Sequence, residues 1–163
     1  MSLINDSIRE FLDGRHYASL ATQNDDGSMY LTPVWYLFED GKFFISTNTS
    51  GRKFNNILAR HQVSLMVDSR RTQGEEMWVN VSGKAGIIEG DESKEINTKI
   101  VKRYMTEAAM EDPDIGQVFV ASAKATISIG PETVQSWKLQ DLDDLYFGGR
   151  LRQTPKKWFL PVE

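Results

Sequence analysis

The chain has 163 residues, 40% hydrophobic and 26% charged, which is typical of one globular domain with a buried core. Its net charge of -4 argues against a general nucleic-acid binder, and the absence of cysteine excludes a disulfide framework, a thiol nucleophile and a cysteine-ligated zinc site. No apolar run approaches the ~20 residues that cross a bilayer, and the N-terminus lacks a signal-peptide core. We therefore expect a cytoplasmic protein with no nucleic-acid or membrane partner.

The N-terminal part of the chain predicts one short helix followed by strands. Apolar residues at helical spacing between residues 4 and 12 indicate the helix, with Asn5 or Asp6 as its cap. Strands are predicted over residues 17–22 and 28–38, with polar turns between them. Pro33 lies inside the second strand, where it cannot donate a ladder hydrogen bond. That strand must therefore be bulged or lie at a sheet edge.

Residues 43–57 predict a strand that runs through a polar turn into a helix. Ser50 or Thr49 is expected to cap the helix, whose first turn presents free backbone amides that favour an anion. Arg52 and Lys53 add two cations at the same end, where they oppose the helix dipole unless something negative binds there. The alternative interpretation is a solvated basic turn.

The middle of the chain predicts a long strand and a second long helix. Alternating side chains indicate the strand over residues 77–88, and the small residues Gly83, Ala85 and Gly86 allow a sharp bend or the close approach of another backbone. The helix is predicted to begin at a cap on Asp91.

The C-terminal part predicts two further strands and a tail. Strict alternation over residues 119–129 indicates the first strand, a turn is expected at 130–132, and the second strand covers 133–139. Residues 141–163 are expected to form an irregular extension. Six or so strands with short turns, interrupted by two helices after the N-terminal one, predict a mainly β, small antiparallel barrel.

The segment around residues 46–57 resembles a known family. Ser46-Thr47-Asn48, then Ser50-Gly51-Arg52-Lys53 and Asn56-Ile57, is similar to the phosphate-binding segment of the pyridoxamine 5'-phosphate oxidase-like, FMN-binding split-barrel proteins. The resemblance covers about residues 6–137. It implies a single domain over 1–163 with the fold of a split β-barrel of Greek-key type and helices packed at its ends.

The resemblance also implies a cofactor site between two subunits of a homodimer. The residues expected to hold the phosphate and ribityl chain of FMN are Ser46, Thr47, Ser50, Arg52 and Lys53. The residues expected beside the flavin ring are Pro33, Val34, Trp35, Trp78 and Trp137, with Trp78 facing the flavin of the neighbouring subunit. The alternative for Trp35 is an ordinary core aromatic.

The activity implied by the resemblance is an FMN-dependent oxidoreductase that transfers a hydride at the flavin ring to or from a small-molecule substrate. His16 and His61 are far apart in sequence and lack a metal-ligand spacing, so no metal site is expected and no catalytic side chain is assigned. The absence of an evident protein nucleophile, acid or base is what a cofactor-borne reaction predicts.

Three alternatives remain open at this point. The same fold serves reductases that use the deazaflavin F420, and a protein could hold flavin or haem without turnover. The third is a true pyridoxine or pyridoxamine 5'-phosphate oxidase. Those enzymes carry an arginine and a lysine along the second strand, where this chain has Leu31 and Tyr36. The terminal Arg150-Leu151-Arg152 bears only a poor similarity to their substrate-binding tail.

Overall fold

A computed structural model describes residues 3–69 and 72–161, which form a seven-stranded antiparallel sheet surrounded by helices. The strands are β1 (Tyr17–Gln23), β2 (Met29–Val34), β3 (Leu37–Glu39), β4 (Lys42–Thr47), β5 (Gln62–Ser69), β6 (Met77–Ile88) and β7 (Ala125–Lys138). The helices are α1 (Asp6–Asp13), α2 (Arg52–Ala59), α3 (Gly90–Tyr104), α4 (Glu107–Glu111), α5 (Gly116–Ser122), α6 (Leu139–Phe147), α7 (Arg150–Gln153) and α8 (Pro155–Trp158). The sheet curls into a half-barrel, so the predicted mainly β fold with added helices is confirmed.

The strand order is β2-β1-β5-β6-β7-β4-β3. The single strand predicted over residues 28–38 was wrong, because this segment supplies β2 at one edge of the sheet and β3 at the other. Trp35 and Tyr36 connect the two edges. Pro33 pairs with Ser19 of β1 in the edge strand, which confirms that the proline lies where one ladder donor is dispensable.

The hydrophobic core lies inside the curl of the sheet. Alternate strand residues point inward, and the side chains of Leu20, Leu65 and Val79 are fully buried. Helix α1 adds Ile8 and Leu12 to this cluster. Asn5 caps α1 as predicted, since its side-chain oxygen accepts a hydrogen bond from the Ile8 amide at 2.9 Å.

The last strands differ from their prediction in two places. Residues 116–122 form the helix α5, although alternating side chains predicted that a strand begins at residue 119. Small residues fit either structure, and Val120 becomes buried when α5 packs against α3. The turn predicted at residues 130–132 is instead an irregularity inside the continuous strand β7, opposite Ser82 and Gly83 of β6.

The C-terminal segment is helical, so its prediction as an irregular extension was wrong. Helices α6, α7 and α8 follow β7 directly. Asp143 on α6 is fully buried and accepts hydrogen bonds from the backbone amides of Leu151 and Arg152, both at 3.0 Å. This tertiary capping of α7 by a distant carboxylate is not visible in local sequence.

The predicted cap of the second long helix was also misplaced. Helix α3 begins after Glu89, and Asp91 lies in its first turn, where a carboxylate complements the helix dipole. Among residues 3–69 and 72–161, no helix has the length and apolar character needed to cross a membrane.

Candidate functional site

Two adjoining clefts lie where β4 runs into α2. Their cavity volumes are about 330 and 340 Å³, and Trp35, Ser46, Lys53 and Phe119 line both. The remaining residues around the first cleft are Tyr17, Pro33 and Val34. The remaining residues around the second cleft are Tyr30, Thr47, Asn48, Gly51, Arg52, Val101, Ser122 and Ala123. Because the clefts share four side chains, one elongated ligand can occupy both.

Two cationic side chains, Arg52 and Lys53, line the second cleft. Lys53 is partly buried and, among the described residues, forms no ion pair with a carboxylate. Burial lowers the pKa of its ammonium group below the ordinary value, because desolvation disfavours the charged form. The guanidinium of Arg52 lies over the ring of Tyr30 at 5.0 Å from the centroid. An anion in this cleft would supply the missing counter-charge.

The start of α2 adds backbone donors to the same cleft. The N-cap residue is Gly51, which has no side chain to satisfy the first amides of the helix, so the cap predicted at Ser50 or Thr49 was wrong. The Ser50 backbone amide and hydroxyl both donate to the Asn48 side-chain oxygen at 3.0 Å, closing the turn before the helix. Ser50 therefore shapes the turn and does not line either cleft.

Two neighbouring hydroxyls on β4 differ in their hydrogen bonding. Thr47 is only 4% exposed, and its Oγ1 has no hydrogen-bond partner in the structure. Ser46 Oγ donates to Asn97 Oδ1 of α3 at 2.8 Å. A buried hydroxyl without a partner is unfavourable by itself and indicates a position that a ligand atom can satisfy.

Stacked aromatic rings border the clefts. Trp35 is parallel to Tyr104 within 3°, with ring centroids 5.0 Å apart, and Phe119 stacks on Trp35 at 5.6 Å. Pro33 and Val34 precede Trp35 at the end of β2. The structure thus brings Pro33, Val34 and Trp35 into the same cleft as Lys53 of α2.

Several cleft residues were missed from the sequence. Phe119 was hidden because its segment was predicted as a strand, and Tyr30 because it lies on an edge strand far from α2 in sequence. Asn48 stood within the recognised motif but was not assigned to the site. Its position between β4 and the helix start was the available signal.

The predicted residues Trp78 and Trp137 lie outside both clefts of the protomer. They pair with each other across β6 and β7. The same row of the sheet continues through Asp68 of β5 to Tyr17 of β1, which does line the first cleft. Their role toward a ligand stays a prediction.

The fold and the clefts define a split-barrel protein with two adjoining clefts at a strand-to-helix junction. The chain belongs to the pyridoxamine 5'-phosphate oxidase family, whose model matches residues 4–138. Helices α6–α8 lie beyond the matched region.

Solved structures share this fold at low sequence identity. A conserved hypothetical protein from Mycobacterium tuberculosis superposes with a TM-score of 0.70 and 24% identity, over 85% of this chain and 88% of the other. An F420 reductase superposes with a TM-score of 0.63 and 19% identity, over 81% of this chain and 98% of the other. An FAD-binding protein from Mesorhizobium loti superposes with a TM-score of 0.57 and 18% identity, over 78% of this chain and 89% of the other. No curated protein matches the chain in sequence.

Proposed function

We propose that this protein is an FMN-binding flavoprotein that acts as an oxidoreductase on a small-molecule substrate. The observation that carries the proposal concerns two residues of the second cleft. Lys53 is partly buried and has no ion-pair partner among the described residues, and the buried hydroxyl of Thr47 has no hydrogen-bond partner among them. Family membership adds support, as do the names of two proteins of the same fold, an F420 reductase and an FAD-binding protein.

The second cleft fits a phosphate monoester. Lys53 and Arg52 supply positive charge, Thr47 Oγ1 can donate a hydrogen bond, and the uncapped first turn of α2 presents backbone amides. The phosphate group of FMN carries close to two negative charges at neutral pH and only acceptor atoms. Binding would therefore satisfy donors that have no partner in the protein alone.

The first cleft fits a flat ring system. Pro33, Val34 and Trp35 line this cleft together with Phe119, whose ring stacks on Trp35. These apolar surfaces would exclude water from the ring and orient it. When bound, FMN supplies hydride exchange at its ring, and the chain supplies binding, orientation and a dry environment.

A homodimer is the second part of the proposal. Tyr17, Met29 and Leu31 lie on the outer face of β1 and β2 and are 55%, 60% and 64% exposed. Such an apolar surface beside the first cleft suits contact with a second copy. In that arrangement the row that contains Trp78 and Trp137 is available to border a flavin across the interface.

An FMN titration followed by visible absorption tests the phosphate assignment. Replacing Arg52 and Lys53 together by alanine removes two charge-assisted contacts worth roughly 1.5–3 kcal/mol each, so FMN affinity should fall by roughly 100-fold or more. The control variant replaces Lys156 and Lys157 of α8, another adjacent pair of cations outside the clefts. Equal FMN affinity for the wild type and the Arg52/Lys53 variant would refute the assignment.

The second candidate is an F420-dependent reductase, favoured by the F420 reductase of the same fold. A parallel titration with F420 distinguishes the two, since saturable binding of F420 without uptake of FMN replaces the cofactor and keeps the fold. Reduction of the bound cofactor by NADH or NADPH under turnover then separates an enzyme from a protein that only holds flavin or haem.

The structure provides an argument against a true pyridoxamine 5'-phosphate oxidase. Tyr36 stands where the biosynthetic enzymes carry a basic residue, yet here its ring is fully buried and its hydroxyl donates to the Leu12 carbonyl at 2.8 Å. Leu31, at the other such position, lies on the exposed outer face of β2. Neither residue lines the clefts.

A further inference from the structure

We propose that Asn97, a positioning residue on α3, makes Ser46 an obligatory hydrogen-bond acceptor and thereby sets the direction of the ligand in the clefts. The inference rests on the proposed flavin site and adds a chemical rule to it. A hydroxyl or N–H group of the ligand must face Ser46, and the phosphate must lie at the Thr47 end.

The starting observation is a closed ring of buried hydrogen bonds behind the cleft wall. Asn97 Nδ2 donates to Ser93 Oγ at 3.2 Å, Ser93 and Thr126 share a hydroxyl contact of 2.9 Å, and Thr126 Oγ1 donates to Asn97 Oδ1 at 2.9 Å. All three residues are at most 1% exposed. Asn97 Oδ1 can only accept, so Thr126 is the donor in the 2.9 Å contact and Ser93 then donates to Thr126. Thr126 Oγ1 also lies 3.4 Å from the Ser93 carbonyl oxygen, which is the longer of its two acceptor contacts.

The orientation of the Asn97 amide follows from its other neighbours. Its Nδ2 lies 3.4 and 3.5 Å from the carbonyl oxygens of Ala123 and Ala125. A carbonyl oxygen can only accept, so the amide nitrogen must face these two groups. The side-chain oxygen of Asn97 therefore faces Thr126 and Ser46.

The hydroxyl proton of Ser46 is consequently used in a hydrogen bond to Asn97. Asn97 Oδ1 has no hydrogen, so in the 2.8 Å contact Ser46 Oγ is the donor. Only the lone pairs of Ser46 remain for the cleft. Phosphate oxygens also present lone pairs and would repel them, whereas a ribityl hydroxyl can donate. The unpartnered Thr47 hydroxyl keeps its proton free for phosphate.

Three flavins that differ stepwise test this rule. Lumiflavin lacks the ribityl chain, riboflavin has it, and FMN adds the phosphate. Their dissociation constants, measured by fluorescence quenching, give two ratios for each variant. Ser46→Ala should reduce the preference for riboflavin over lumiflavin by roughly 3- to 10-fold and leave the preference for FMN over riboflavin unchanged. Thr47→Val should reduce the preference for FMN over riboflavin and leave the preference for riboflavin over lumiflavin unchanged.

Asn97→Ala tests the positioning role. Without its side-chain oxygen the Ser46 hydroxyl is free to turn, so the preference for riboflavin over lumiflavin should fall. A purely structural Asn97 would weaken all three flavins by the same factor, which would overturn the inference. So would a Ser46→Ala variant in which the preference for FMN over riboflavin drops, because that result would place the phosphate at Ser46.

A measurement without ligand separates this inference from the proposed function. In ¹⁵N-labelled protein, the Asn97 side-chain amide protons should give nuclear Overhauser contacts to Ala125 and Ser93. Contacts to the Ser46 and Thr126 side chains instead would reverse the amide and refute the rule, whatever the protein binds. Failure of the wild type to bind any of the three flavins would overturn the proposed function and, with it, the ligand direction inferred here.

Discussion

Replacing Thr47 by valine should make the ligand-free protein more stable and its FMN complex weaker. Valine has nearly the same shape as threonine and favours strands, so the substitution at the end of β4 changes little except the hydroxyl. That hydroxyl is buried and has no partner. The hydroxyl that we propose for phosphate binding is therefore unfavourable for folding.

The magnitude follows from these two facts. A buried polar group without a hydrogen bond costs about 1–3 kcal/mol, so we expect the free energy of unfolding to rise by about 1 kcal/mol. For a chain of 163 residues this corresponds to a rise in Tm of about 2–4 °C. Losing a hydrogen bond to a charged phosphate should weaken FMN binding by roughly 10- to 100-fold.

Thermal unfolding with and without FMN measures both effects. Thr126→Val is the matched control, since Thr126 pairs with Ser46 on the adjacent strand and its hydroxyl is fully partnered. That variant should lose about 1–3 kcal/mol of stability because Asn97 and Ser93 lose a partner. A lower Tm for Thr47→Val than for the wild type, or an unchanged FMN affinity, would refute the reasoning.

Three further predictions concern the barrel, the charge of the site and the interface. Gly83→Ala should lower the free energy of unfolding by about 1–3 kcal/mol, because a Cβ there would lie 2.1 Å from the Gly130 carbonyl oxygen. In the control Gly86→Ala, on the same strand, the new Cβ meets nothing within 4 Å, so its Tm should stay near that of the wild type. Equal losses of stability in the two variants would contradict this prediction. Burial lowers the pKa of Lys53, and only its protonated form attracts phosphate, so FMN affinity should fall as the pH rises through that lowered pKa. Lys53→Met should flatten this dependence of FMN affinity on pH. An unchanged pH dependence in the variant would exclude Lys53 as the titrating group. Leu31→Glu should shift the mass measured by sedimentation from dimer to monomer with the fold intact, and a monomeric wild type would refute the proposed dimer.

Local sequence was sufficient for much of the second cleft. The strand β4, the turn and the helix α2 are neighbours along the chain, so their periodicity and the cations at the helix start predicted them together. The capping residue was missed because Asn48, through its side chain, holds Ser50 in the turn and leaves Gly51 at the cap.

The first cleft depended more on the fold. Pro33, Val34 and Trp35 came from the family resemblance, but the strand that carries them was predicted to continue unbroken. The chain leaves the sheet edge at Trp35, whose ring stacks on Tyr104 and on Phe119, and both of these residues are far away in sequence. Periodicity predicts which side of a helix or strand is buried, but it does not predict which other element covers that side.

The sequence by itself determined the order of most elements, the mainly β class and the concentration of positive charge at the start of α2. These properties depend on residues within one or two turns of each other. Only the tertiary structure decided that β2 and β3 lie at opposite edges, that Asn97 controls the proton of Ser46, and that Thr47 lacks a partner. Each of these depends on contacts between residues that are distant in the chain, and a hydrogen-bond network is defined only when all its members are placed together.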